Sequence, residues 1–190
     1  MDIFDREQVL KSMVVLADTR EQNTARADRR YKSMGVPVER AVLDYGDYTY
    51  NATLPNGNAL YNASGRIYPV VSIERKESLD EIAQCFTRAR ERFQREFKRA
   101  AEHNARIYLI CENASWESLL GGQYRSRFHP NAFIASVTAY MVRYNMNLLF
   151  CKEDTSGQLI KEILYRDLKE RLERGEFDKM WMDKTAPEVS

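Results

Sequence analysis

Apolar residues in this chain come first in short runs and later at helical intervals. Met13-Val14-Val15-Leu16-Ala17 is a partly β-branched run that stops at Asp18, which predicts a buried strand. The polar, arginine-rich stretch Gln22–Met34 fits a short helix closed by Gly35. Strand character resumes over Val36–Tyr50, with Gly46-Asp47 set within it. Pro55-Asn56-Gly57 and Ser64-Gly65 supply turn chemistry, predicting one or two hairpins between Asp47 and Tyr68. Tyr68–Ile73 is another β-branched run, and it too ends in charge, at Glu74-Arg75-Lys76.

From Leu79 to His103 the period becomes helical. Leu79, Ile82, Phe86, Phe93 and Phe97 form one apolar stripe, and Arg88, Arg90, Arg92, Arg95, Lys98 and Arg99 crowd the remainder. Ile107–Cys111 reads as a short strand ending at Glu112, and Trp116–Leu120 as a helical turn. Gly121-Gly122 opens a loop carrying Arg125, Arg127 and His129, and Pro130 sits where a first helical residue belongs, ahead of a helix over Ala132–Tyr144. Leu148-Leu149-Phe150 is a last strand, Gly157–Arg174 an amphipathic helix, and residues 178–190 a frayed tail. Strands alternating with helices predict an α/β fold, a mixed central sheet flanked by helices, in a single domain over residues 1–177.

Composition narrows the function. With 44% apolar residues the chain can bury a core, and 29 Lys and Arg against 28 Asp and Glu leave no overall cationic coat. A polyanion would therefore be gripped by locally segregated charge. No run is long and apolar enough to span a membrane, and the first residues lack signal-peptide character, so a soluble cytoplasmic protein is expected. Cys85, Cys111 and Cys151 are too scattered for a disulfide framework or a zinc cluster. Neither a P-loop nor a G-x-G-x-x-G pattern occurs, which argues against a nucleotide cofactor, and the isolated His103 and His129 read as caps or surface residues.

What remains is carboxylate chemistry. Asp18 with Glu21, Asp47, and Glu74 each follow apolar strand residues, and neighbouring strand ends lie side by side on a sheet edge. Charge at a strand end is usually a solvated edge; three acidic ends, one followed by a basic pair, is a different pattern. A hard divalent cation such as magnesium takes oxygen ligands and keeps several waters, which suits carboxylates from adjacent strands. Lys76 lies two residues beyond Glu74, so an extended strand sends both side chains to one face. A lysine beside metal-holding acids is the arrangement expected for phosphodiester hydrolysis.

The order Gly46-Asp47, a gap, Glu74-Arg75-Lys76, three residues, Asp80 resembles the motif of the XPF-type structure-specific endonucleases. Asp18-Thr19-Arg20-Glu21 is similar to that family's Asp-x-Arg-Glu element, and Arg90 and Gln94 are spaced like its helical Arg and Gln, so the likeness runs from about residue 12 to 150. The resemblance implies a restriction-endonuclease-like core that cuts DNA with Mg2+ or Mn2+. It implies Asp47 and Glu74 as metal ligands, Asp18 joining them directly or through water, Glu21 as a supporting acid, the Arg75 carbonyl facing the metal and Lys76 as the catalytic lysine. Arg20, Asp80, Arg90 and Gln94 would organise the site or touch phosphate. The helix-hairpin-helix module or helicase of cellular relatives has no counterpart after the last helix, so a stand-alone, phage-like form acting in repair, recombination or phage DNA processing is expected. The competing reading is a catalytically silent DNA-binding or scaffolding relative.

For the DNA surface, Arg88 and Arg90 lie nearest the motif, and the Gly121–His129 loop with Arg125 and Arg127 has a composition suited to gripping a strand. The alternatives are a solvated face laced with pairs such as Arg92 and Glu96, and an ordinary surface loop. Arg26, Arg29 and Arg30 would extend the basic surface. Tyr140, Tyr144, Phe150 and Leu164 read as core or as the interface of a homodimer, which the related domains form.

Overall fold

The computed structural model describes residues 1–182. Its elements, in order, are α1 (Ile3–Lys11), β1 (Val14–Asp18), α2 (Ala25–Met34), β2 (Val38–Leu43), β3 (Tyr48–Asn51), β4 (Arg66–Ile67), β5 (Val71–Lys76), α3 (Leu79–Phe86) and α4 (Arg90–Glu102). They continue through β6 (Arg106–Glu112), α5 (Trp116–Leu120), α6 (Pro130–Tyr144), β7 (Asn147–Cys151), α7 (Ser156–Glu173) and α8 (Asp178–Met182). The strands form one sheet in the order β4-β2-β1-β3-β5-β6-β7. Only β3 runs against its neighbours: β1 pairs with it antiparallel, as does β5, and every other pairing is parallel.

Alternation along the strands divides the side chains between two cores. On one face Val15, Ala17, Tyr48, Tyr50, Val71, Ile73 and Ile110 pack under α1, α2 and α7, which contribute Val9, Met34, Ile160, Leu164 and Leu168. On the other, Ile107, Leu109 and Cys111 meet Ile82, Phe86, Phe93, Phe97, Phe133 and Tyr140 of α3, α4 and α6. Tyr140 and Leu164 are thus core residues, and Phe86, Phe93 and Tyr140 meet with ring centroids 4.9–5.6 Å apart. Gly157 lets α7 close on α2, since a Cβ there would stand 2.3 Å from the Arg30 carbonyl oxygen.

Four features differ from expectation. Residues 3–11, where no element was foreseen, form α1, started by a capping box between Asp2 and Asp5. The predicted helix from Leu79 to His103 is two: Thr87 leaves helical geometry, its hydroxyl bonded to the Ala83 carbonyl at 2.8 Å, and α4 restarts at Arg90. Between β3 and β5, only an isolated Thr53–Ala59 bridge has antiparallel pairing, and β4 instead joins β2 in parallel at the sheet edge. The expected tail begins as the short helix α8, and residues 183–190 lie outside the described residues. His103 and His129 stand at the C-cap of α4 and the N-cap of α6. Among the described residues no helix is long and apolar enough to cross a membrane.

Candidate active site

Because β3 alone is reversed, its first residue lies at the edge where β1, β2, β5, β6 and β7 end. Asp47 therefore precedes its strand, yet it sits level with the acids that close the others. The register pairs Ala17 with Tyr48 and Tyr48 with Ile73, which sets Asp18, Asp47 and Glu74 in a row across β1, β3 and β5, on the α3–α4 face. The Asp18 N–H donates to the Asp47 carbonyl at 2.8 Å and the Asp47 N–H to the Ile73 carbonyl at 2.7 Å, locking the row.

The three carboxylates have different partners. Asp18, 1% exposed, turns toward β2: it accepts from the Leu43 N–H at 2.9 Å, the Arg20 N–H at 2.7 Å and Arg20 Nε at 2.6 Å. Asp47 accepts from the Arg75 N–H at 2.7 Å. Glu74, 5% exposed, meets Lys76 Nζ at 2.6 Å, and Glu81 of α3 lies 3.6 Å from the same ammonium. Glu74 and Lys76 leave the same face of β5, as their spacing requires.

Burial, and then the charge of Glu74, push the Asp47 carboxyl well above the usual carboxylate range, against the pull of Lys76. Burial likewise raises Glu74, with the Lys76 ammonium opposing it. For Lys76, burial works against the charge, but Glu74 and Asp47 outweigh it and hold its pKa well above the ordinary lysine value. Two desolvated acids that resist ionisation side by side are a donor pair that a hard cation would relieve. Among the described residues no group of three or more His, Cys, Asp and Glu side chains is arranged to hold a metal ion. The Asp47 and Glu74 carboxylates fit a cation held by two protein acids with the rest of its shell left to water and substrate, a mode magnesium favours.

The loop before Asp47 is held from several sides. Gly46 adopts φ +75°, and a Cβ there would stand 1.7 Å from Ser72 Oγ, so only glycine fits. Its N–H donates to Glu96 Oε1 of α4 at 2.8 Å. One turn later Arg99 donates through Nε to Asp44 Oδ2 and through Nη2 to the Asp44 carbonyl, both at 2.8 Å, and Arg66 reaches Asp44 Oδ1 at 2.9 Å. Glu96 is thus a residue that sequence reasoning assigned to a surface pair with Arg92; only the tertiary approach of α4 reveals its role.

Glu21 and Arg75 stand elsewhere. The Arg75 side chain leaves the opposite face of the sheet and donates to Glu112 Oε2 at 3.1 Å. Arg30 of α2 approaches Glu112 Oε1 at 3.3 Å and donates to the Tyr48 hydroxyl at 3.1 Å, which in turn donates to Glu21. Arg75 and Arg30 also lie 3.5 and 3.7 Å from Glu21. Glu112, 0% exposed, was legible only as a strand end. Arg30 is therefore buried structure, not open basic surface, and Arg26 and Arg29 are both engaged by Glu153.

At the sheet edge a cleft of about 540 Å³ is lined by Arg20, Arg30, Arg75, Arg92 and Arg125 together with Glu21, Glu77, Asp80 and Glu81; Asp47, Glu74 and Lys76 are not part of its lining. Arg88 is exposed in the bend between α3 and α4, Arg90 exposed at the start of α4, and Gln94 half-buried one turn on. Arg127 is exposed in the loop after α5.

A model of the ERCC4 domain matches residues 17–163. Among solved structures, XPF from Aeropyrum pernix is similar at 21% identity over 93% of this chain and 75% of that one, with a TM-score of 0.54. XPF from Aeropyrum pernix in complex with DNA is similar at 23% identity over 93% and 76%, with a TM-score of 0.54. These likenesses show a shared restriction-endonuclease-like fold. No curated protein matches.

Proposed function

The chain belongs to the ERCC4 domain family, and from that premise we propose that it is a DNA endonuclease dependent on Mg2+ or Mn2+, acting at Asp47, Glu74 and Lys76. One observation carries this reading: Asp47 and Glu74 stand side by side across paired strands, with Lys76 Nζ 2.6 Å from Glu74 Oε1. Asp47 and Glu74 are the side chains assigned to hold the cation. When bound, such a cation neutralises phosphate charge and acidifies a coordinated water.

The chain's own groups do the rest. The Lys76 ammonium stays protonated at neutral pH and presents a fixed positive charge where negative charge builds on the phosphate. The Arg75 N–H fixes Asp47, and Glu74 orients Lys76. Asp18 acts one step back, holding the Arg20 guanidinium, which lies near enough to Asp47 to feel its charge. Arg20, Arg88, Arg90, Gln94, Arg125 and Arg127 are assigned to phosphate contacts, which position DNA without reading its bases. The fold match to XPF in complex with DNA supports DNA as the partner; branched or single-strand-containing DNA is the substrate class proposed for test.

The test is a panel of single-stranded, duplex, flap, fork and junction DNA with Mg2+ or Mn2+, run beside Glu74→Ala. Cation-dependent cuts within branched or single-strand-containing substrates, lost in Glu74→Ala, are expected. Binding without cutting under either cation would instead favour a catalytically silent DNA-binding relative. Equal cutting by Glu74→Ala would remove the site assignment.

A further inference from the structure

Asp80 follows Lys76 by four residues, in the first turn of α3, yet its carboxylate is turned away from the Asp47–Glu74 pair. Oδ1 accepts from the Arg125 N–H at 2.9 Å and the Ser126 N–H at 2.7 Å, and Oδ2 lies 3.4 Å from Arg125 Nε. On either side of these residues the loop is anchored to the core beneath it. The Tyr124 and Phe128 rings each pack 5.2 Å from Phe133, and the Tyr124 hydroxyl donates to the Phe128 carbonyl at 2.9 Å. Between those two anchors the Arg125 side chain is 93% exposed at the lip of the cleft.

We propose that Asp80 is a positioning residue for the DNA-gripping loop: it ties the main chain at Arg125 and Ser126 to the helix that follows the catalytic strand. The short path β5–Ser78–α3 then makes the loop and Lys76 parts of one rigid unit, so a phosphate held by Arg125 stands at a fixed offset from the scissile one. Because the two shorter bonds are to backbone N–H groups, the loop's position does not depend on which side chain occupies residue 125. This inference rests on the nuclease reading for its substrate but not for its geometry.

The experiment compares Asp80→Ala, Asp80→Asn and Arg125→Ala by hydrogen exchange, DNA binding and cleavage. In Asp80→Ala the Arg125 and Ser126 amides exchange at least about tenfold faster, since both lose a charged acceptor. DNA affinity falls about tenfold, with loss of one phosphate contact held in place. KM rises while kcat at saturating DNA and the cation concentration for half-maximal rate stay near wild type. Asp80→Asn keeps an acceptor oxygen and restores much of the protection and affinity. Arg125→Ala weakens DNA binding with the Ser126 amide still protected. Unchanged exchange in Asp80→Ala would overturn the proposal, as would a fall in kcat with KM unmoved, which would return Asp80 to the reacting site. The exchange arm needs neither DNA nor cation, so a failure of the nuclease reading is separable from a failure of this one.

Discussion

Arg75 serves two faces of the sheet at once: its backbone N–H holds the Asp47 carboxylate at 2.7 Å, and its guanidinium is anchored behind the sheet on Glu112 at 3.1 Å. Strand β5 is therefore clamped from the rear by the buried Glu112, which Arg30 also approaches. A strand whose one face is locked in an ion network cannot slip in register without dragging charge out of its partners.

Glu74→Gln and Lys76→Ala are expected to lower the cleavage rate by about 10²–10³-fold, the usual cost of losing one electrostatic contributor at a reacting centre. Circular dichroism should stay close to wild type, because neither side chain belongs to an apolar core, whereas Lys76→Ala, which leaves the buried Glu74 without its ammonium, should also lower the melting temperature. Single-turnover rates at saturating cation test this.

The raised Asp47 pKa has a consequence for stability. The carboxyl is pushed up to about 8 in the fold, against about 4 in an unfolded chain. Between those values the folded state binds the proton more tightly, so this contribution is full below about pH 4 and is lost as pH rises through about 8. In chelator, Asp47→Asn, which mimics the protonated acid, should be more stable than wild type by a margin that widens from about pH 5 to about pH 8. Urea unfolding of the two proteins across that range measures the margin, and a divalent cation should narrow it by stabilising only the wild type.

Removing Glu112 leaves Arg30 and Arg75 with only the longer contacts to Glu21 as a shared acid. Glu112→Ala should cost about 3–5 kcal/mol of unfolding free energy, the range for breaking a buried ion pair on one side. Arg30→Met combined with Glu112→Met should recover part of that loss. Chemical denaturation of the three proteins decides it.

Gly46→Ala places a methyl group against Ser72 and forces a non-glycine residue into a left-handed conformation. The conformation alone costs about 1–2 kcal/mol. The loop must also shift, so cation affinity should fall more than stability does. A double variant that also carries Ser72→Gly relieves the contact and should regain much of the affinity, read by Mn2+ titration.

For DNA binding, each of Arg88, Arg90 and Arg127 that touches a phosphate should reduce the slope of log affinity against log salt by about 0.7–0.9 when replaced by alanine. An arginine that leaves the slope unchanged is part of a solvated face. Fluorescence anisotropy over a salt series separates the two.

Much of this arrangement is readable along the chain, because apolar runs that end at Asp18, Glu74 and Glu112 announce strands, and a spacing of two puts Glu74 beside Lys76. Strand direction is not readable that way. Asp47 follows apolar positions as though it closed a strand, when it opens the reversed β3. Glu96 and Arg99 have neighbours at helical spacing that explain them locally, so nothing short of the packing of α4 on the loop reveals that they hold Gly46 and Asp44. The arginines of α2 look alike in sequence; burial under α7 separates Arg30 from Arg26 and Arg29. The bend at Thr87 is likewise hidden, since the apolar stripe continues across it.

The one reversed strand also decides where the protein can tolerate change in length. From Asn51 the chain leaves at the far margin of the sheet and re-enters there at Val71, with Asn56 of the intervening segment reaching the Met180 carbonyl. Residues added to or deleted from the turn at Pro55-Asn56-Gly57, short of β4 and the Arg66 that holds Asp44, would alter a remote rim and leave the spacing between Asp47 and Glu74 untouched, because that spacing is measured across paired strands and not along the backbone that joins them.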